Sequence, residues 1–415
     1  MLLASVLAHV VRIGRLTLID AGGRRHVFEG APGPVACVRL HDRALHWKLL
    51  WRPRLFIGEA YMEGSLTIEE GSLYDFLEIL VSNDAALASE ASLPLRLNQL
   101  AGRLVRRFHQ YNPVPRAKRN VAHHYDLSDE LYELFLDRDR QYSCAYFRSP
   151  QDELDTAQLN KKRHLAAKLL LRPGDRVLDI GSGWGGLALY LAAECGAEVT
   201  GLTLSEEQYK MATRRAAQAG LADRVRFHLR DYREETGQYD RIVSVGMFEH
   251  VGVNQYPAFF AKLSELLAPD GVALLHAIGR MDGPGTTNPW LRKYIFPGGY
   301  SPALSEVVPH AERVRLWITD IEILRLHYAE TLRAWRRRFE QSRERVRSLY
   351  DDRFCRMWEL YLIGCELSFR RDVCLVFQMQ MAKRVDTVPL TRDYITDWER
   401  GVDGATADAP AGRAA

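Results

Sequence analysis

Between Arg176 and Ile278 five short apolar runs, RVLDIG, EVTGLTL, VRFHLR, DRIVSVG and GVALLHAI, take turns with the helical stretches GGLALYLAAEC, SEEQYKMATRRAAQAG and YPAFFAKLSELLAP. Parallel strands need a crossover between them, so this alternation restricts the segment to an α/β fold with a doubly wound parallel sheet. VCLVFQMQMAKR reads as a further, late strand. The long insertion RMDGPGTTNPWLRKYIFPGGYSPALSE interrupts the pattern after Ile278, and its aromatic residues argue for an ordered substrate lid rather than a loose loop.

The first strand runs into VLDIGSGWGG, which puts Gly181, Gly183, Gly185 and Gly186 where a buried strand turns into a helix. Glycine there lets backbone approach a ligand, and the helix N-terminus favours negative charge. A plain tight turn or a dinucleotide site gives similar glycine spacing. The form D-x-G-x-G-x-G, beginning at Asp179, is more similar to the first motif of class I methyltransferases, which use S-adenosylmethionine. The second strand ends GLTLSEEQ, without the carboxylate that usually holds ribose hydroxyls. Thr203, Leu204 and Gln208 stand there instead. Thr203 and Gln208 suit hydrogen bonds to ribose or adenine, while Ser205 with Gln208 suits a helix capping box. After the third strand, RDYR offers Asp231 to an adenine amine and Tyr232 for stacking; Asp231 reads equally as a turn residue.

A chain of 415 residues suggests two or three domains. Residues 1–100 read as a small α+β domain, with strands at RLTLID, RHVFEG and ACVRLH, a helical stretch LHWKLLWRPRLFIGEAYMEG, and a short helix over Ser72–Leu80. A basic linker, 101–122, precedes the helix in HHYDLSDELYELFLD, and a catalytic domain spans 123–398 with two Arg-rich helices after the insertion. The Ala-, Gly- and Asp-rich segment 399–415 reads as a disordered tail. A net charge of +3 gives no global field for nucleic acid. Two local basic patches remain, Arg103 to Arg119 and Arg333 to Arg347, the latter including Arg336, Arg337 and Arg338. In RLVRRFHQY arginines interleave with aliphatic and aromatic residues, which suits a membrane surface and singles out Arg103, Arg106 and Arg107. The six cysteines have no disulfide or metal spacing and read as free thiols of a reducing cytosol. MLLASVLAHVVRIG lacks the marks of a secretion signal, and no run approaches the ~20 apolar residues of a spanning helix.

HHYDLSDELYELFLD, YSCAYF, VLDIGSGWGGLALYLA, GLTLSEEQ, YDRIVSVGMFEHVG, LLHAIG, KYIFPGGYSP and HYAETLRAW, in that order from about His123 to Arg384, resemble the cyclopropane fatty acid synthases, including their mycolic acid members. The N-terminal domain looks like the smaller lipid-associated domain of the full-length bacterial enzymes. The resemblance implies a class I methyltransferase Rossmann-like sheet. It implies S-adenosylmethionine as cofactor, with Tyr142 and Ser143 at its methionine part and Gly181 and Gly183 behind it. It also implies bicarbonate held by Cys144, Glu249, His276, the backbone of Ile278, and Tyr328. Taken singly, these residues also read as a core cysteine, helix caps and a satisfied core histidine.

The implied reaction adds a methylene unit to the cis double bond of an unsaturated phospholipid acyl chain, with a carbocation deprotonated by a positioned base. Ring faces at Tyr142, Tyr146 and Phe147 would stabilise that cation. The alternatives are methyl transfer followed by reduction to a methyl branch, an ordinary small-molecule methyltransferase, and a lipid carrier. The implied setting is the cytoplasmic face of a membrane, with phospholipid as partner, no nucleic acid, and dimerisation through the N-terminal domain.

Overall fold

The computed structural model describes residues 2–84 and 128–407. The N-terminal part forms a four-stranded sheet, order β2-β1-β3-β4, from β1 (Ile13–Ile19), β2 (Arg25–Glu29), β3 (Ala31–Leu40) and β4 (Leu66–Glu70). The β1–β2 hairpin closes on Asp20, whose Oδ1 accepts the N–H of Gly22 and Arg24 at 2.9 and 3.0 Å. The expected helical stretch is two helices, Leu45–Trp51 and Pro53–Met62. Pro53 forces the break: it lacks a donor and drives Arg52 to φ −143°, ψ 67°. Ser72 and Asp75 make the capping box that starts the helix Leu73–Ser82. The short strand β4 was not apparent in the sequence, since five residues carry too little alternation to stand out.

The second sheet has seven strands in the order β10-β11-β9-β8-β5-β6-β7. Strands β5 (Arg176–Ile180), β6 (Glu198–Thr203), β7 (Val225–Leu229), β8 (Tyr239–Val245) and β9 (Leu267–Arg280) run parallel. The late strand β11 (Cys374–Ala382) pairs antiparallel with β9, His276 opposite Gln378. The edge strand β10 (Trp317–Ile323), antiparallel to β11, was missed because WITDIEI is only half-buried and carries two acids. Four helices, Leu304–Arg313, His327–Gln341, Arg343–Leu349 and Asp352–Arg371, stand where two were expected.

One apolar cluster joins the N-terminal part to the helices over the large sheet, packing Met62 and Phe76 with Trp290, Trp335 and Trp358. Trp290 comes from the insertion, whose helix Pro289–Tyr294 is capped by Asn288, and its indole N–H reaches Met62 Sδ at 3.1 Å. The expected domain boundary at residue 100 and the basic linker 101–122, with Arg103, Arg106 and Arg107, lie outside the described residues. Two expectations are corrected. The chain is helical from Asp393 through Ala407, so no structureless tail begins at 399; Glu399 meets Nδ1 of the buried His164 at 2.8 Å, while Glu322 holds its Nε2 at 2.8 Å. Nor is the Arg336–Arg338 run a fully open basic face, since only Arg337 of the three is exposed. Arg336 pairs with Glu366 at 3.1 Å, and Arg338 binds the Leu136 carbonyl at 2.6 Å and Asp155 at 2.5 Å.

The seam between the two parts is tight at Gly58, where a Cβ would lie 2.4 Å from the Trp290 ring. Gly58→Val therefore lowers stability by about 1–3 kcal/mol. Gly364→Ala, whose Cβ meets nothing within 4 Å in the helix Asp352–Arg371, is the neutral or stabilising control in the same thermal melts.

Candidate active site

The chain steps from β5 outward to β6 and β7, then returns to place β8 on the other side of β5, and ligands of open α/β sheets bind at such a switch point. A cavity of about 150 Å³ opens at these carboxyl ends. All ten residues expected around a cofactor line it: Tyr142, Ser143, Asp179, Gly181, Gly183, Thr203, Leu204, Gln208, Asp231 and Tyr232. Gly183, at φ +55°, would carry its Cβ into open space, so the backbone itself is the cavity wall. Gly181, at φ +87°, leaves no room: a Cβ would sit 2.7 Å from the Met247 side chain.

Thr203 and Gln208 hold each other, the threonine hydroxyl donating to Gln208 Oε1 at 2.9 Å. Ser205 caps the following helix by accepting the Gln208 N–H at 3.3 Å, but its own N–H goes to Thr203 Oγ1 at 3.2 Å, so the capping box is not completed by Gln208. Asp231 is the cap of the short turn Tyr232–Glu234, and Arg233 takes both its carboxylate oxygens at 2.7 Å. Tyr232 packs edge-on against Phe259. Asp179 is buried, its Oδ2 without a partner among the described residues, and burial pushes its carboxyl up to about 7.

Lys161 belongs to this site and escaped the sequence reading, because NKKRH in a polar helix reads as a solvated face. It is fully buried in the helix Leu154–Lys168. Its Nζ donates to Gln141 Oε1 and Ser143 Oγ, both at 2.8 Å, and burial depresses it to about 8.

A second cavity, about 440 Å³, meets the first at Tyr142, Ser143, Gly246 and His250. Cys144, Glu249, His276, Ile278 and Tyr328, dispersed over 185 positions of sequence, all line it. Burial pushes the Cys144 thiol up, and its Sγ lies 3.3 Å from the Ala145 carbonyl. Burial holds His276 neutral, and its Nδ1 accepts from Gln378 Nε2 at 3.2 Å. That assignment leaves a proton on Nε2. Glu249 caps no helix: its Oε1 accepts the Ile278 N–H at 2.6 Å, its Oε2 has no partner among the described residues, and burial raises it to about 7. The Ile278 amide, expected to serve a bound anion, is thus already engaged. Tyr328 packs its ring on Trp335 and Phe369.

Tyr146 and Phe147 do not line either cavity. Tyr146 is stacked between His164 and His327, with centroids at 4.2 and 4.8 Å, and the Phe147 N–H is bound to His327 Nδ1 at 3.0 Å. The aromatic rings that line the larger cavity are instead those of Tyr142, Trp290, Phe296, Tyr300, Tyr328, Tyr361 and Phe369. Tyr142 and Tyr361 share a hydroxyl contact of 2.8 Å. The N-terminal part also supplies wall, through Ile57, Leu77, Leu80 and Val81, and the insertion through Trp290 and Leu291.

Asp179 and Glu249 titrate near 7 in the folded chain but near 4 when unfolded. Between those limits the folded chain holds more protons, so these two groups lower stability as pH rises from about 4 to 7. Glu249→Gln removes one of them. The variant is expected to melt above wild type at pH 8 and close to it at pH 5; a lower melting temperature at pH 8 would mean that Glu249 has an ionic partner.

The family model of mycolic acid cyclopropane synthetases matches residues 114–379. The Escherichia coli cyclopropane-fatty-acyl-phospholipid synthase is 36% identical over 351 residues, 85% of this chain and 89% of that protein. The tuberculostearic acid methyltransferase UfaA1 of Mycobacterium tuberculosis is 42% identical over 280 residues, 64% of this chain and 65% of that protein. Among solved structures, the mycolic acid cyclopropane synthase CmaA1 complexed with SAH and CTAB superposes with a TM-score of 0.61 at 33% identity, covering 66% of this chain and 99% of that one. With the glycine turn at the switch point and the two cavities joined at Tyr142 and Ser143, the chain belongs to the mycolic acid cyclopropane synthetase family and is an S-adenosylmethionine-dependent transferase of one-carbon groups to lipid.

Proposed function

We propose that the enzyme builds a cyclopropane ring on the cis double bond of an unsaturated phospholipid acyl chain. The observation that carries this reading is the meeting of the two cavities at Tyr142 and Ser143, with the apolar, ring-lined one next to the glycine-walled one. S-adenosylmethionine, when bound, supplies an electrophilic methyl group. The open face of Gly183 and the unpartnered Oδ2 of Asp179 fit such a ligand. Tyr142 and Ser143 line both cavities and would hold the reacting end of the cofactor against the acyl chain. Lys161 fixes Ser143 there, and the aliphatic wall excludes water, which a weak nucleophile such as an alkene requires.

Methyl transfer leaves positive charge on the acyl chain, and the rings of Tyr142, Phe296 and Tyr361, which line the cavity, would stabilise it. Burial keeps the Cys144 thiol protonated, so it does not trap the cation. Bicarbonate, when bound, supplies a small base. The fit rests on the Nε2–H of His276, the hydroxyl of Tyr328 and the unpartnered Oε2 of Glu249, with the Ile278 amide shared with or released by Glu249. Glu249 accepts and orients a proton at Oε2, and His276 donates without titrating.

One observation favours a second reading. The relative UfaA1, at 42% identity, is named a methyltransferase, which fits methyl transfer and reduction to a methyl branch. Expression in a host rich in monounsaturated phospholipids, followed by mass spectrometry of the fatty acids, separates the two: ring closure adds CH2 and removes the unsaturation, branching adds CH4. No helix of the described residues is long and apolar enough to cross a membrane. The proposed setting, which follows from the phospholipid substrate, is the cytoplasmic surface of a bilayer, with a homodimer formed through the N-terminal part. Glu249→Gln is expected to cut turnover about a hundredfold or more while calorimetric cofactor affinity stays intact. Parallel loss of affinity would place Glu249 at the cofactor instead.

A further inference from the structure

The helix Leu45–Trp51 buries Leu45 and turns its other side to solvent. Trp47 and Trp51, one turn apart on the same face, are 70% and 54% exposed. Lys48 and Arg52 are exposed beside them. Across the break at Pro53, the next helix begins with Pro53, Arg54, Ile57 and Gly58, all lining the larger cavity. Met281 is 71% exposed between Arg280 and Asp282, which line the same cavity. Arg280 grips Asp282 with two bonds of 2.5 Å, and Arg54 adds its charge to the same carboxyl. Exposed apolar side chains therefore stand beside two stretches of the cavity lining, one at Pro53, Arg54, Ile57 and Gly58 and one at Arg280 and Asp282.

Exposed tryptophan is costly in water and favoured at the headgroup level of a bilayer, where the ring is buried and the indole N–H stays wet. The charge agrees. Arg43, Lys48 and Arg52 are exposed on this stretch against one acid, Asp42, which lies 3.7 Å from Lys48, while Arg54 beside them is held by Asp84 at 2.8 Å. A second copy of the chain on this face would bring the same basic patch, Lys48 and Arg52, to both sides of the contact, which like charges oppose.

We propose that Trp47 and Trp51, with Lys48 and Arg52, dock the enzyme on an anionic phospholipid bilayer at the mouth of the larger cavity, an inference that rests on the phospholipid reading above. The docked face delivers an acyl chain directly between Arg54 and Met281 into the ring-lined cavity. The Trp47→Ser/Trp51→Ser double variant tests it, with Trp317→Ser as control, since Trp317 is 54% exposed on the edge strand β10 away from the cavity lining.

Co-sedimentation uses vesicles of unsaturated phosphatidylethanolamine and phosphatidylglycerol, and turnover is followed on the same lipids as vesicles and dispersed in detergent. The double variant is expected to bind vesicles at least about tenfold more weakly and to lose turnover on vesicles but not in detergent, while Trp317→Ser behaves as wild type. The blue shift of tryptophan fluorescence on adding vesicles should vanish in the double variant. Wild-type binding by the double variant overturns the proposal. So does a change of oligomeric state with vesicle binding intact, which would make a second copy the occupant. If wild type transforms no phospholipid in either format yet docks through these tryptophans, the substrate reading fails and the docking surface stands.

Discussion

A fully buried lysine fixes the strip of chain on which both cavities depend. Lys161 holds Gln141 and Ser143 from beneath, and an ammonium group without water is tolerable only when its donors are satisfied. The strip is pinned along its length: the Gln141 N–H goes to Asp137 at 2.7 Å, Gln158 donates to the carbonyls of Gln141 and Ser143 at 3.2 and 3.0 Å, and the Ala145 N–H goes to Thr331 at 3.0 Å. Tyr142 and Ser143 form the shared wall, so a small shift of this strip would misalign cofactor and acyl chain together. Positioning at that scale is what a reaction with a weak nucleophile most needs.

The electrostatics around the strip point the same way. Burial raises the Asp179 and Glu249 carboxyls to about 7, leaves His276 uncharged and keeps Cys144 a thiol. A site meant to hold a transient carbocation gains from having no exposed nucleophile, while Glu249 and His276 still offer one acceptor and one donor for proton movement. The N-terminal part completes the apolar wall through Ile57, Leu77 and Leu80, so the large sheet alone does not enclose the cavity.

Much of this was legible in the sequence because the cofactor side is local. Its residues sit at strand ends and turns whose period and glycines are visible, and the convergence of Cys144, Glu249, His276 and Tyr328 followed from family motifs rather than from spacing. What was not legible depends on packing between distant segments. Lys161 reads as solvent-facing until the strip folds over it. Tyr146 reads as a cavity ring until His164 and His327 sandwich it. The terminal helix reads as loose until Glu399 is set against His164. Strands β4 and β10 are short or half-buried, so alternation alone does not reveal them.

The central claim is ring closure through deprotonation of the transferred methyl group at Glu249, His276 and Tyr328. The most direct measurement is turnover with S-adenosylmethionine carrying a fully deuterated methyl group, followed by mass spectrometry of the lipid product. Ring closure predicts that two of the three deuterium atoms remain in the product and that the third is lost to solvent. A product that keeps all three would contradict the account, because the methyl would then have survived intact as a branch.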